Sequence, residues 1–162
     1  MTQYFLTFHC ILGPLSIVAN DSSITSIEFE VIEEKEDCLF QPDHPILQQA
    51  ERELLEYFQG ERKLFSVPIF YEGTVFQRAV WEALLQIPYG ETCSYQDIAE
   101  KIGKPKAVRA VGQANKANAI PIIIPCHRVI GKNKKLTGYA GKQIDKKESL
   151  LKIEKAFEEI KL

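Results

Sequence analysis

Apolar and polar positions follow two rhythms along this chain, a strand-like one in the first third and a helical one after it. "YFLTFHC" (4–10), "LSIVAN" (15–20) and "ITSIEFEV" (24–31) are short runs rich in β-branched and aromatic residues. They predict three strands, with "GP" (13–14) and "NDSS" (20–23) as the turns between them. The acidic stretch "EEKED" predicts a loop. In "PILQQAERELLEYFQG" (45–60), Ile46, Leu47, Ala50, Leu54, Leu55 and Phe58 share a helical stripe, and Gly60 is the stop. "SVPIFYEGT" (66–74) reads as a connector, so a small α/β unit is expected over residues 1–72.

The remainder, 73–162, reads as mainly helical. Thr74 can cap "VFQRAVWEALLQI", where Phe76, Val80, Leu84 and Ile87 recur at helical spacing. "PYGET" (88–92) is a turn. Ser94 and Asp97 make a capping box for "YQDIAEKI", which Gly103 ends. "KPKAVRAVGQANKAN" (104–118) carries Pro105 at a first-turn position and predicts another short helix. Two short helices joined by a glycine-containing turn are the pattern of a helix-turn-helix. Arg109 stands among the small residues Ala107, Ala110 and Gly112, which let a helix approach another surface closely. At the end, "DKKESLLKIEKAFEEI" offers a capping box at Asp145 and Glu148 and a stripe of Leu150, Ile153, Phe157 and Ile160.

Charge sharpens this division. Residues 1–72 carry 4 Lys/Arg and 13 Asp/Glu, whereas residues 73–162 carry 16 and 9. Between 101 and 147 there are 12 basic residues and one acid, Asp145. Such polarity fits a second half that meets a polyanion such as nucleic acid; the plainer reading is a solvated basic face. The 45% hydrophobic content suffices for a core, and no apolar run approaches the ~20 residues of a membrane span. "MTQYFLTFHC" lacks the basic-then-apolar order of a secretory signal, so a cytoplasmic protein without membrane contact is expected. Cys10, Cys38, Cys93 and Cys126 form no CxxC pair and are expected to be free thiols.

The chemistry concentrates in "IPIIIPCHRVIGK" (120–132). A cysteine attacks as thiolate, and its ordinary pKa near 8.5 calls for a nearby base or cation. His127 and Arg128 follow Cys126 directly, and Pro125 permits the turn that would let His127 work with the sulfur. Glu154, on the last helix, is the candidate that would orient the imidazole. The competing reading is a buried sulfur beside a histidine, since free cysteine is among the most buried residue types. It covers Cys10, Cys38 and Cys93 as well. A zinc site from His9, Cys10, Cys38 and His44 would lack the compact paired spacing of common sites.

"GETCSYQDIAEKIGKPKAVRAVGQA", "IPIIIPCHRVIG" and "LTGYAG", in this order, closely resemble the methylated-DNA–protein cysteine methyltransferases, the O6-alkylguanine–DNA alkyltransferases. The resemblance covers roughly 74–156, and more loosely the first 70 residues. It implies a small N-terminal α/β, ribonuclease H-like domain, then a mainly helical, winged-helix-like DNA-binding and catalytic domain. It implies a monomer, without metal or cofactor, acting on double-stranded DNA that carries O6-alkylguanine and possibly O4-alkylthymine. Cys126 would take the alkyl group irreversibly, in a single turnover, from a nucleotide flipped out of the stack. His127 would act as base through a water, Glu154 would orient it, and Asn118 would brace the active-site segment. Tyr95 would present its hydroxyl to the base edge. The backbone near Ala140 would face O6, and the carbonyls of Cys126 and Val129 would accept from the exocyclic amine. Tyr139, Gly141 and Pro121 would complete the pocket. Arg109 would fill the vacated stack from the minor groove, with Ala107, Ala110, Ser94, Gln96 and Gln113 also at the DNA. Three departures stand out: Ala119 follows Asn118 where the family usually has proline, Lys142 follows "GYAG" where a second glycine is common, and the stretch from there to Glu154 is one residue longer than the family pattern. The alternatives are a non-catalytic protein that recognises alkylated DNA and a cysteine hydrolase using Cys126, His127 and Glu154.

Overall fold

The computed structural model describes residues 1–131 and 144–154. The chain divides into two compact units, Met1–Tyr71 and Glu72–Leu162. In the first, β1 (Gln3–Cys10), β2 (Gly13–Ala19), β3 (Ile24–Glu28) and β4 (Cys38–Phe40) form one sheet in the order β3-β2-β1-β4. β1 and β2 are antiparallel, as are β2 and β3, while β4 runs parallel to β1. Leu6, Ile17 and Ile27 stand opposite one another across three strands. Residues 15–19 are buried without alternation, because β2 is central and both its faces are covered. Phe5, Val18 and Cys38 cluster there with Ile32 packed against them.

Helix α1 (Pro45–Phe58) packs on β1, β2 and β3. Its start is set by His44, whose Nδ1 accepts the amide of Ile46 at 3.1 Å. The stripe expected on α1 needs correction: Leu47, Ala50 and Leu54 are buried as read, but Leu55 is 37% exposed. Glu53 and Tyr57 take the remaining inward positions. Glu53 Oε1 accepts the amides of Ser66 and Val67 at 2.9 and 3.1 Å. Its Oε2 accepts Ser66 Oγ and Gln49 Nε2 at 2.7 and 2.9 Å. The stretch expected as a connector is therefore clamped to the helix, and Ile69 also bridges to Ile24. Strand β4 lies where only a loop was expected; three residues are too few to show a period.

The second unit holds α2 (Val75–Leu84), β5 (Cys93–Ser94), α3 (Tyr95–Lys101), α4 (Val108–Lys116), a 3-10 turn at Cys126–Arg128, β6 (Val129–Ile130) and α5 (Ile144–Ile153). The expected capping box at Ser94 forms with Asp97, and the expected cap at Thr74 proves to be a full box closed by Gln77. Gly103 ends α3 at φ +77°, a left-handed position that glycine adopts at little cost. Pro105 lies in the turn before α4, not in its first turn; Ala107 is the N-cap and offers no side-chain bond. Asp145 is likewise inside α5 rather than ahead of it, and Glu148 pairs with Lys152 at 3.4 Å. Phe157 and Ile160 lie outside the described residues. Parallel pairing of β5 with β6 sets Cys93 beside Val129 and Ser94 beside Ile130. The start of the helix-turn-helix is thus stitched to the segment carrying Cys126.

Glu53→Ala should destabilise the first unit by about 1–3 kcal/mol, since it strands buried amides. Burial pushes the Glu53 carboxyl up, but its hydrogen bonds outweigh this and hold it below the ordinary 4.5. Its contribution is therefore complete above pH 4.5 and fades as pH falls below it. Urea titrations of both proteins at pH 7 and at acid pH, followed by far-UV circular dichroism, should show the difference shrinking at the lower pH.

Candidate active site

The site begins with the backbone of "IPIIIPCHR". Every residue from Ile120 to Ile130 is buried. Ile122 sits at φ +76°, in the left-handed region that costs a β-branched residue on the order of 1–2 kcal/mol. The surroundings hold it there: Ile124 N bonds Ile120 O at 3.0 Å, and Pro121 bridges to Ile124. Pro125 then leads into the 3-10 turn, so Cys126 and His127 are on a turn and not on a strand.

Asn118 organises this loop from the C-terminal side of α4. Its Oδ1 accepts the amide of Ile120 at 2.9 Å. Its Nδ2 donates to Ile124 O at 2.9 Å and to Cys126 Sγ at 3.1 Å. One turn earlier, Asn115 Nδ2 donates to the carbonyl of Cys126 at 3.4 Å. α4 is fixed in turn by Trp81, whose indole nitrogen donates to Ala114 O at 2.9 Å.

The other side of the site is a knot around Glu154, which is 2% exposed. Its Oε2 lies 2.7 Å from His127 Nε2 and 3.0 Å from Arg128 Nη2. Its Oε1 accepts Arg128 Nε at 2.8 Å and the Gly90 amide at 3.4 Å. Arg128 Nη1 reaches Ile87 O at 2.7 Å, and its guanidinium lies over the Tyr89 ring. Gly90 has φ +82°, and a Cβ there would meet the Glu154 carbonyl at 3.3 Å; glycine lets the turn close on α5.

Burial alone would push the Glu154 carboxyl up, but His127 and Arg128 hold it well below the usual carboxylate range. The anion must then accept from His127, which places the proton on Nε2 and leaves Nδ1 as the basic nitrogen. Burial pushes His127 below its ordinary 6.5; Glu154 opposes this, while Arg128 and Lys147 add to it. A neutral imidazole follows at pH 7.

Lys147 escaped the sequence reading. It is fully buried on α5 and donates to Val129 O at 2.6 Å. Burial pushes its ammonium down to about 8, and the charge of Cys126 pulls it back up. Burial pushes the Cys126 thiol up to about 11, against Asn118 and Lys147, which favour the thiolate. Lysine and cysteine stabilise each other's charged form. A signal for Lys147 existed: 147, 150, 151 and 154 follow helical spacing, and all four are buried. The stripe expected through Ile153, which is only half-buried, is rotated from the real one.

Asn118, Cys126, His127, Glu154, Val129 and Pro121 therefore come together in one buried region. Ser94, Tyr95 and Gln96 line an open cleft with Val108. Ser94 Oγ caps α3, and Gln96 Nε2 bonds Pro105 O at 3.0 Å. On α4, Arg109, Ala110 and Gln113 are exposed and Ala107 is half-buried. Tyr139, Ala140 and Gly141 lie outside the described residues. The residues considered for zinc are dispersed: His9 is exposed, Cys38 is in the core and His44 caps α1. Among the described residues no cluster of His, Cys, Asp or Glu is placed to hold a metal, and no helix is long and apolar enough to cross a membrane.

The chain thus joins a small α/β unit to a helical unit that holds a helix-turn-helix and a buried Cys–His–Glu set. Residues 3–71 match the family described as "6-O-methylguanine DNA methyltransferase, ribonuclease-like domain", and residues 75–156 match its "DNA binding domain". The constitutive methylated-DNA–protein-cysteine methyltransferase of Bacillus subtilis is 50% identical over 159 residues, covering 94% of this chain and 96% of the relative. That of Methanosarcina acetivorans is 46% identical over 157 residues, covering 94% and 98%. The crystal structure of Mycobacterium tuberculosis OGT in complex with DNA superposes with a TM-score of 0.87 at 44% identity, covering 95% of this chain and 94% of that one. The chain belongs to the methylated-DNA–protein-cysteine methyltransferase family.

Lys147→Met should slow the reaction of Cys126 with iodoacetamide at pH 7, because it removes the cation that favours the thiolate. In the parent protein the rate should climb with pH towards about 11. Peptide mass spectrometry of Cys126 against time reads both.

Proposed function

We propose that this protein repairs alkylated DNA by moving an alkyl group, typically methyl, from guanine O6 to its own Cys126. The observation that carries this reading is the pairing of Asn118 Nδ2 with Cys126 Sγ at 3.1 Å, next to a His127–Glu154 contact of 2.7 Å. A donor aimed at sulfur favours thiolate, and a neutral imidazole backed by a carboxylate favours proton removal.

In the step itself the thiol proton passes through a water to His127 Nδ1. The sulfur lone pair attacks the alkyl carbon in line, a C–S bond forms and the C–O6 bond breaks. The electron pair of that bond stays with guanine, which takes a proton or hydrogen bonds as charge builds. Tyr95 supplies a hydroxyl to the base edge, and the carbonyls of Cys126 and Val129 accept from the exocyclic amine. A thioether has no easy hydrolysis, so each molecule acts once. The same reading has the protein act as a cytoplasmic monomer on double-stranded DNA.

The buried position of Cys126 requires the target nucleotide to leave the stack, at a cost of a few kcal/mol. The exposed Arg109, with Ala110 and Gln113 on the same side of α4, is suited to the groove and to the vacated space. The basic run between 101 and 147 supplies phosphate contacts without sequence preference. A lesion-recognition protein without catalysis would have no use for a thiol held this way.

Incubated with duplex DNA labelled at an O6-methyl group, the protein should take up label to one equivalent, on the peptide containing Cys126. Continued turnover, or unchanged labelling of Cys126→Ala, would sink the proposal. Arg109→Ala should slow transfer from duplex DNA at least about tenfold more than transfer from free O6-benzylguanine, because only the duplex needs flipping. Equal slowing in single-turnover assays with both substrates would remove Arg109 from that role.

A further inference from the structure

Arg128 is the most heavily engaged cation described in the second unit, and nothing in the alkyl-transfer step uses it. Two of its nitrogens hold Glu154 at 2.8 and 3.0 Å, and a third holds Ile87 O at 2.7 Å. A carboxylate offers about four acceptor positions. Glu154 fills them with His127 Nε2, Arg128 Nε, Arg128 Nη2 and Gly90 N. His127 therefore shares this anion with a permanent cation.

We propose that Arg128 is a positioning residue that keeps His127 neutral, and so able to take the Cys126 proton, by absorbing the charge of Glu154. A lone buried carboxylate against an imidazole favours the imidazolium, which has no lone pair left for a proton. With the guanidinium bound, Glu154 still fixes the tautomer and ring direction, but its charge is already balanced. The use of His127 as base rests on the alkyl-transfer reading; the effect of Arg128 on the His127 charge does not. The groups facing His127 all bear on this balance. Glu154 and Lys147 approach from α5, Arg128 and Cys126 flank it on the turn, and the turn before β5 contributes Tyr89, beneath the guanidinium, and the Gly90 amide. Of these, Glu154 alone pulls His127 towards its charged form, while Arg128 and Lys147 oppose it.

The sign is fixed by this geometry. Loss of Arg128 removes a nearby cation and releases the Glu154 anion, and both raise the proton affinity of His127. The acid limb of the transfer rate should then move to higher pH.

The test uses the full chain in its unreacted form. Long-range proton–nitrogen NMR gives the titration and tautomer of His127, and single-turnover transfer from O6-methylguanine duplex gives the rate between pH 5 and 9. In the parent protein His127 should titrate below its ordinary 6.5 with the proton on Nε2. Arg128→Met should raise that titration and lower transfer more at pH 6.5 than at pH 8.5, by up to about fivefold for a rise of about one unit. Arg128→Lys, which keeps the charge without the fork, should stay closer to the parent. Adding Glu154→Gln to Arg128→Met should bring the titration back down. A parent His127 that is charged at neutral pH would overturn the proposal even where Arg128→Met does not fold. So would a folded Arg128→Met whose His127 titrates as in the parent, or a rate loss equal at every pH, which marks a mechanical brace only. Absence of transfer in the parent would sink the alkyl-transfer reading and leave the NMR result to decide this one.

Discussion

The second unit turns on one buried carboxylate. Glu154 lies just past the end of α5, yet its partners come from the turn after α2 and from the turn that holds Cys126. Burying such a charge without compensation costs several kcal/mol. Here the cost is met by four donors, two of them on one guanidinium, so the carboxylate is stable only if all three segments are in place. The helix end, the active-site turn and the 87–90 turn thus define one another. Tyr89 Oη bonding to Ile153 O at 3.3 Å and the glycine at position 90 serve the same closure.

A second constraint runs against the first. Cys126 is 2% exposed, and burial opposes the thiolate the chemistry needs. The structure answers with weak, directional help: an amide from Asn118 and a lysine that is itself reluctant to carry charge at that depth. Neither brings the thiol to its ordinary value or below. In the proposed transfer, proton removal by His127 is then a requirement rather than a refinement, and the charge state of His127 becomes the control point. On that proposal Glu154 and Arg128 act through the charge state of the imidazole.

Much of this was visible in the residues. The cap at Thr74 and the capping box at Ser94 were readable because they are local, as were the glycine stop at 103 and the apolar periodicity of α2. Local chemistry raised Cys126 and His127 as candidates, but a Cys-His pair alone does not separate a nucleophile from core sulfur; the resemblance singled them out and added Asn118. The misses share a cause: only apolar residues were counted into a buried stripe, so a polar residue lying on it was left out. Glu53 on α1 and Lys147 on α5 are both fully buried because distant backbone atoms, of Ser66 and Val67 and of Val129, supply their partners. Short strands such as β4, β5 and β6 have no period to detect and exist only through pairing with residues far along the chain. The left-handed Ile122 contradicts its own preference and is imposed by the loop around it.

Helix α4 shows how the two functional tasks are joined. It has nine residues, and its two faces are one helix diameter apart, about 10–12 Å with side chains. Arg109, Ala110 and Gln113 lie outward, on the face proposed to meet DNA. Val111, Ala114 and Asn115 lie inward, where Ala114 O takes the Trp81 indole and Asn115 reaches the Cys126 carbonyl. Asn118, just past its end, holds the sulfur. A helix this short is stable mainly through its packed face. That face is the wall behind Cys126, so a duplex positioned by the outer face would be positioned relative to the thiol through a single rigid element. Small outward side chains such as Ala110 add to this, because they bring the helix axis, and with it the thiol, closer to whatever α4 lies against.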